Sequence, residues 1–156
     1  MALTEQGILW SWGLATHGQL GVIKRDANIN LLLTKDGQYF SSLPLPVSGF
    51  EEEQIDRVYT KMNTVYAVGV SGRCYTWGDL RHGLSLNPSM SRSETPIRCK
   101  TLEAMNFSDI TFSEQAAVGI GSSIQLHFSF PDIPGPEDDD PQLNKMEATV
   151  AGQKID

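Results

Sequence analysis

The chain has 156 residues, 40% of them apolar and 20% charged, with a formal net charge of −7. That is one ordinary domain with enough apolar mass for a core. No apolar run approaches the roughly 20 residues of a membrane span, so a membrane-spanning helix, a collagen-like chain and a fully disordered chain are excluded.

The acidity is uneven. Residues 131–156 hold seven acids and two lysines, whereas residues 1–130 hold 12 acids and 10 bases and are close to neutral. Direct binding to nucleic acid asks for a basic stripe. The sequence offers only the scatter Arg81, Arg92, Arg98 and Lys100, so a solvated face is expected and no direct nucleic-acid partner. The first 20 residues carry Glu5 but no basic cluster and no small-residue cleavage site, so no signal peptide is expected. Cys74 and Cys99 are the only cysteines. They form no CxxC pattern and have no histidine at ligand spacing, so two buried, reduced thiols in an intracellular protein are expected, with no metal.

Short strands dominate in chain order. Gly7-Ile8-Leu9-Trp10-Ser11-Trp12-Gly13 reads as a strand with Ile8, Trp10 and Trp12 on one face and Leu9 and Ser11 on the other. Leu31–Thr34 and Gln38–Phe40 flank Lys35-Asp36-Gly37 and predict a hairpin, the Asp-Gly pair supplying the positive φ of a tight turn. This hairpin is either an insertion in a first repeat unit or a degenerate extra unit. Glu51-Glu52-Glu53 reads as a solvated acidic loop rather than paired catalytic carboxylates. Val65–Val68 and Cys74–Trp77, with Gly69–Gly72 between them, predict a second hairpin. Pro96–Asn106 has room for a helical turn or two. Beyond Phe130, four prolines surround Glu137–Asp140 and no aromatic residue follows. A disordered acidic tail is therefore expected over 131–156, because so little apolar surface does not offset the entropy of ordering.

The sequence also repeats. Gly7–Gly13 recurs at an offset of 65 as Gly72-Arg73-Cys74-Tyr75-Thr76-Trp77-Gly78, with His17-Gly18 matching His82-Gly83. A second register, at an offset of 50, relates Pro46-Val47 to Pro96-Ile97 and Ala67–Val70 to Ala117–Ile120. The strand that should follow near residue 122 lacks its Trp-Gly ending.

Gly7–Gly13 followed by His17-Gly18-Gln19-Leu20-Gly21, and Gly72–Gly78 followed by His82-Gly83, resemble repeats of the regulator of chromosome condensation family. The resemblance is strong in the first motif and weakens along the chain. It implies an all-β fold, a partial β-propeller of two to three four-stranded antiparallel blades with the acidic tail appended. The units read as 7–43 with the hairpin, 44–95, and a degenerate 96–130, so the blades occupy 1–130 and the tail 131–156. Trp10, Trp12, Gly13, Gly18, Gly21, Tyr75, Trp77, Gly78 and Gly83 form the repeat signature. Their expected role is structural: one Trp per blade fills the wedge between neighbouring sheets, and the glycines allow close approach or positive φ. His17 and His82 are expected to be turn residues.

Propellers close with about four to eight blades, and two units with part of a third fall short of that. A protein partner or a second copy completing the propeller is therefore expected. The sequence contains no G-x-S-x-G, P-loop or H-E-x-x-H pattern, and no catalytic or cofactor-binding residue is assigned. The reading is a non-catalytic protein-interaction module, part of a larger assembly or a truncated isoform. The alternative implied by the resemblance is a guanine-nucleotide exchange factor or regulator of a small GTPase.

Overall fold

A computed structural model describes residues 1–23, 29–50, 52–81, 90–100 and 103, together with the backbone of five later strands between 107 and 155. The architecture is all-β, in three antiparallel sheets that follow one another along the chain.

The first sheet contains β1 (Ala2–Leu3), β2 (Leu9–Leu14), β3 (Leu32–Leu33) and β4 (Tyr39–Pro46), in the order β1-β2-β4-β3. The second is a plain meander of β5 (Ile55–Lys61), β6 (Thr64–Gly69), β7 (Cys74–Asp79) and β8 (Arg92–Arg98). The third holds β9 (Phe107–Phe112), β10 (Ala116–Gly121), β11 (Gln125–Ser129), β12 (Glu147–Val150) and β13 (Gln153–Ile155), again as a meander. β5 lies against β1 on one side and β9 on the other, so the second sheet sits between its neighbours.

The turn chemistry explains the hairpins. At Thr4–Gly7, Thr34–Gly37 and Gly69–Gly72 the glycine N–H donates to the carbonyl three residues back at 2.9–3.0 Å, and each glycine has φ between 75° and 84°. This is a type I turn closed by a left-handed glycine, the three-residue hairpin loop. Only Gly37 of the Asp-Gly pair takes positive φ. The first and third loops are 65 residues apart, the offset of the sequence repeat.

The Trp-Gly ending has an equally local cause. The register of β2 against β4 shifts between Ser11 and Gly13, and that of β7 against β8 shifts between Thr76 and Gly78. Gly13 and Gly78 have φ of 99° and 93°. In each case the extra residues lie on the partner strand, Ser42–Pro44 of β4 facing Trp12 and Glu94–Pro96 of β8 facing Trp77, so a bulge sits opposite each Trp.

The outer strands correct the second register. Ser41 Oγ donates to the Leu43 carbonyl and Ser93 Oγ to the Thr95 carbonyl, both at 2.6 Å. Ser11 pairs with Leu45 as Thr76 pairs with Ile97. Pro44-Leu45, not Pro46-Val47, is therefore the counterpart of Pro96-Ile97. The matching prolines lie in β4 and β8, the last strands of the first and second sheets in chain order, so the sheets, at 2–46 and 55–98, run out of phase with units that begin at these prolines. The hairpin at residues 31–40 is β3 with the start of β4, and β3 forms the edge of the first sheet. Beyond β8, Glu103 N–H reaches the Cys99 carbonyl at 3.2 Å, the spacing of a helical hydrogen bond.

The expectation of disorder over 131–156 needs correction at its end. β12 pairs with β11 and β13 with β12. The composition of that stretch is dominated by its Pro-acidic first half. Its last ten residues instead carry the strand formers Thr149, Val150 and Ile155 beside an open strand edge. Residues 130–146 lie outside the described residues, as do His82 and Gly83.

Candidate functional site

The principal core is the seam between the first two sheets. Leu9 from β2 meets Ile55, Val65, Ala67, Tyr75 and Trp77 of the second sheet, with Val47 and Phe50 from the connection. Trp77 is fully buried. Its indole N–H donates to the Gln19 carbonyl at 3.2 Å, and its ring meets Phe50 edge-on at 5.8 Å. Tyr75 makes a similar contact with Phe50 at 5.2 Å, and its hydroxyl donates to the Phe50 carbonyl at 3.2 Å.

The glycines of the following turn make this seam possible. A Cβ on Gly21 would stand 2.7 Å from Val47 Cγ1 and 2.8 Å from the Trp77 indole nitrogen. One on Gly18 would stand 2.5 Å from the Ser93 carbonyl oxygen of the neighbouring sheet. The turn is held to its own sheet by Ser11, whose buried hydroxyl donates to the Leu20 carbonyl at 2.5 Å. His17 belongs to the same turn: its N–H donates to Gln19 Oε1 at 2.7 Å, and Nδ1 lies 2.9 Å from Thr16 Oγ1.

Trp12, the repeat counterpart of Trp77, stands 43% exposed. It lies on the opposite face of the first sheet from Leu9 and Ser11, as strand alternation requires. That face is apolar across the sheet. Trp10 pairs with Ala2 and Pro46, and Leu14 with Phe40, which in turn pairs with Leu32. Opposed residues share a face. Trp10 and Phe40 are half-buried, whereas Trp12, Leu14 and Leu32 are exposed. Sequence reasoning gave Trp12 and Trp77 one role, but in this chain only Trp77 fills a wedge.

Charged groups act as local fasteners. The acidic loop expected at Glu51–Glu53 is not uniformly solvated. Glu53 is nearly buried, accepting from Ser71 N–H at 2.8 Å and Ser71 Oγ at 2.5 Å, with Arg73 at 3.3 Å. The Ser71 hydroxyl, followed by its N–H and Arg73, holds the Glu53 carboxyl below its ordinary range against the opposing effect of desolvation. Gly69 leaves the space that this carboxylate occupies. Glu103 accepts from Arg98 at 2.7 and 2.9 Å and from Cys74 N–H at 3.1 Å, and Arg98 chiefly holds its carboxyl low. Arg81 forks onto Asp79 at 3.0 and 2.7 Å.

Cys74 and Cys99 are free and buried. Cys99 N–H donates to the Cys74 carbonyl at 2.7 Å, which places the two opposite each other at the end of the β7–β8 ladder. Burial, then the neighbouring Cys99 and Glu103, pushes the Cys74 thiol up to about 11. Such a thiol is a poor nucleophile at neutral pH. Among the described residues, no three His, Cys, Asp or Glu side chains converge as a metal site, and no helix is long and apolar enough to cross a membrane.

No family model matches the sequence. The chain is 25% identical over 143 residues to the E3 ubiquitin-protein ligase HERC2 of Homo sapiens, and equally to that of Mus musculus. The match covers 92% of this chain and 2% of those proteins, so the chain spans a small fraction of their length. Among solved structures it resembles Prp20p of Saccharomyces cerevisiae, reported with its binding to Gsp1p and histones, at a TM-score of 0.61 and 17% identity. That likeness covers 99% of this chain and 35% of Prp20p. Yeast RCC1 (Prp20) bound to Kap60 gives 0.60 and 18%, covering 93% and 34%. Human WBSCR16 gives 0.56 and 16%, covering 85% and 32%. The structural likenesses show the fold, a segment of a β-propeller, and with the sequence relatives they bear out the resemblance to regulator of chromosome condensation repeats.

Proposed function

We propose that the chain is a non-catalytic protein-interaction module, a propeller segment that works as part of a larger assembly inside a reducing compartment. The observation that carries this reading is the exposed apolar face around Trp12, whose repeat counterpart is wholly covered. A contiguous apolar surface of this kind marks an interaction site. The signature residues described in the second repeat support the same reading, because packing and turn geometry account for them without leaving a reactive group.

Regulation of a small GTPase is the second reading, favoured by the likeness to Prp20p and its reported binding to Gsp1p. The two separate in a nucleotide-release assay on a Ran-type GTPase loaded with a fluorescent guanine nucleotide. The module reading expects release at the intrinsic rate, with or without binding. Release accelerated in proportion to added chain would overturn it in favour of an exchange factor.

A further inference from the structure

Met62 stands out on two independent grounds. Among the described residues it is the most exposed large apolar side chain, at 83%, and one of two non-glycine residues with positive φ, at 50°. Lys61 pairs with Thr64, so Met62 and Asn63 form a two-residue hairpin loop, and of the two only Met62 takes positive φ. That is the pattern of a type II′ turn, whose first central position prefers glycine. A methionine there is opposed both by backbone sterics and by the hydration of its apolar side chain. Packing within the chain compensates neither, because the side chain lies almost wholly in solvent.

The tip is nevertheless firmly held. Asp79 N–H donates to the Asn63 carbonyl at 3.0 Å, and Thr64 Oγ1 donates to the Asp79 carbonyl. A Cβ on Gly78 would overlap the Asn63 carbonyl oxygen, so this glycine lets the loop sit flush on the end of β7. The surroundings are basic. Arg81 forks onto Asp79 with its own side chain 60% exposed, and Arg92 faces Asp79 across the ladder. Lys61, Arg81 and Arg92 outnumber Asp79 and Glu94 at this end of the sheet, and residues 82–91 add no acid, in a chain whose net charge is −7. A single exposed apolar side chain is ordinary on its own. One fixed on a strained, clamped tip beside basic side chains is presented for contact.

We propose that Met62 is the anchor of a docking knob that inserts into an apolar cavity rimmed by carboxylates on a folded partner protein. A convex tip calls for a concave receptor. The unbranched thioether adapts to the walls of such a cavity, the clamped turn has little freedom left to lose on binding, and the basic side chains around the tip meet the acidic rim. The inference rests on the module reading and gives the module a contact on the second sheet, apart from the Trp12 face of the first.

The test uses the full chain with a diazirine-bearing aliphatic residue in place of Met62 or, as a control, of the exposed Thr60, irradiated in an extract of the source cells. The captured protein is identified by mass spectrometry, purified, and titrated by calorimetry against the unlabelled chain and its variants. Met62→Asn removes the apolar tip and eases the turn, so lost binding there is not lost folding, whereas Met62→Leu keeps the tip. The expected result is an adduct from position 62 that maps to an apolar cavity bordered by Asp or Glu. Binding should weaken at least about tenfold in Met62→Asn, stay within about threefold in Met62→Leu, and fall as salt rises. No adduct above the Thr60 control would overturn the proposal, as would unchanged binding by Met62→Asn or an affinity indifferent to salt. A partner that responds to Trp12→Ala but not to Met62→Asn would remove the knob and leave the module reading standing. Accelerated nucleotide release in the GTPase assay would remove the module reading without altering the Met62 titration, so the two failures are distinguishable.

Discussion

Trp77→Ala is the substitution that most directly probes the seam, and Trp12→Ala is its internal control. Trp77 has no exposed surface, packs on Phe50 and donates to the Gln19 carbonyl. Removing a buried Trp side chain costs about 3–5 kcal/mol from lost transfer energy and the cavity left behind. The orphaned carbonyl adds about 1 kcal/mol unless water reaches it. For a domain whose whole stability is about 5–15 kcal/mol, this is a large share. Trp12 starts 43% exposed, with no described hydrogen bond to lose. Its truncation should cost about 1 kcal/mol or less, the range of surface substitutions. Urea unfolding monitored by far-UV circular dichroism provides the comparison, with the three proteins sharing one m-value. In thermal melts the same difference should lower Tm by roughly 10 °C or more for Trp77→Ala. If the two variants unfold within about 1 kcal/mol of each other, the seam is not the core of the molecule and the wedge argument fails.

Other consequences follow from the same contacts. Gly21→Val should destabilise by about 2–4 kcal/mol, since the new side chain collides with Val47 and the Trp77 indole at a positive φ. Denaturant titration checks it, and a cost under about 0.5 kcal/mol would contradict the slot. Met62 sits exposed at φ 50° in the β5–β6 turn. Met62→Asn should therefore raise stability by about 0.5 kcal/mol, because Asn tolerates this region better. Cys74 and Cys99 should resist iodoacetamide at pH 8 in the native protein and react on unfolding, as burial and the raised Cys74 pKa require. Rapid native labelling seen by mass spectrometry would contradict their placement. Glu53 has a folded pKa below its ordinary 4.5, so its contribution is complete above that value and is lost as pH falls through the folded value. Glu53→Gln should accordingly be less stable at pH 7 and show a shallower loss between pH 5 and 3.

Much of the fold was legible because each repeat carries its own turn chemistry. Gly37 and Gly69–Gly72 announce two hairpin loops, whereas Gly7, read as the start of a strand, turns out to close a third, and Trp12-Gly13 and Trp77-Gly78 announce matching strand ends. The relation between the outer strands was less legible. Pro44 and Pro46 are two residues apart on one strand, so either matches Pro96 by type, and only the ladder of Ser11 with Leu45 and Thr76 with Ile97 separates them. Averaging hid the strands at 147–155 behind the acids and prolines upstream. Glu53 was hidden for a different reason: its partners, Ser71 and Arg73, lie 18 and 20 residues away. A run of three glutamates gives no sign that one of them turns inward.

The sharpest divergence between motif and role lies in the two tryptophans. An amphipathic strand fixes which face a residue occupies, because its side chains alternate with period two. What covers that face is decided by a neighbouring sheet, and a strand pattern carries no trace of it. Trp12 and Trp77 share a bulge, a following left-handed glycine and a face, yet only Trp77 has a receptor. That receptor is assembled from Leu9, Gly21 and the Gln19 carbonyl, all contributed by the first repeat. At this seam the first repeat offers one face and the second fills it with a different one, so the packing is heterologous. A heterologous surface is not satisfied by itself: it takes a complementary face, and a self-complementary dimer would set two Trp12 faces together with no slot and no acceptor for either indole.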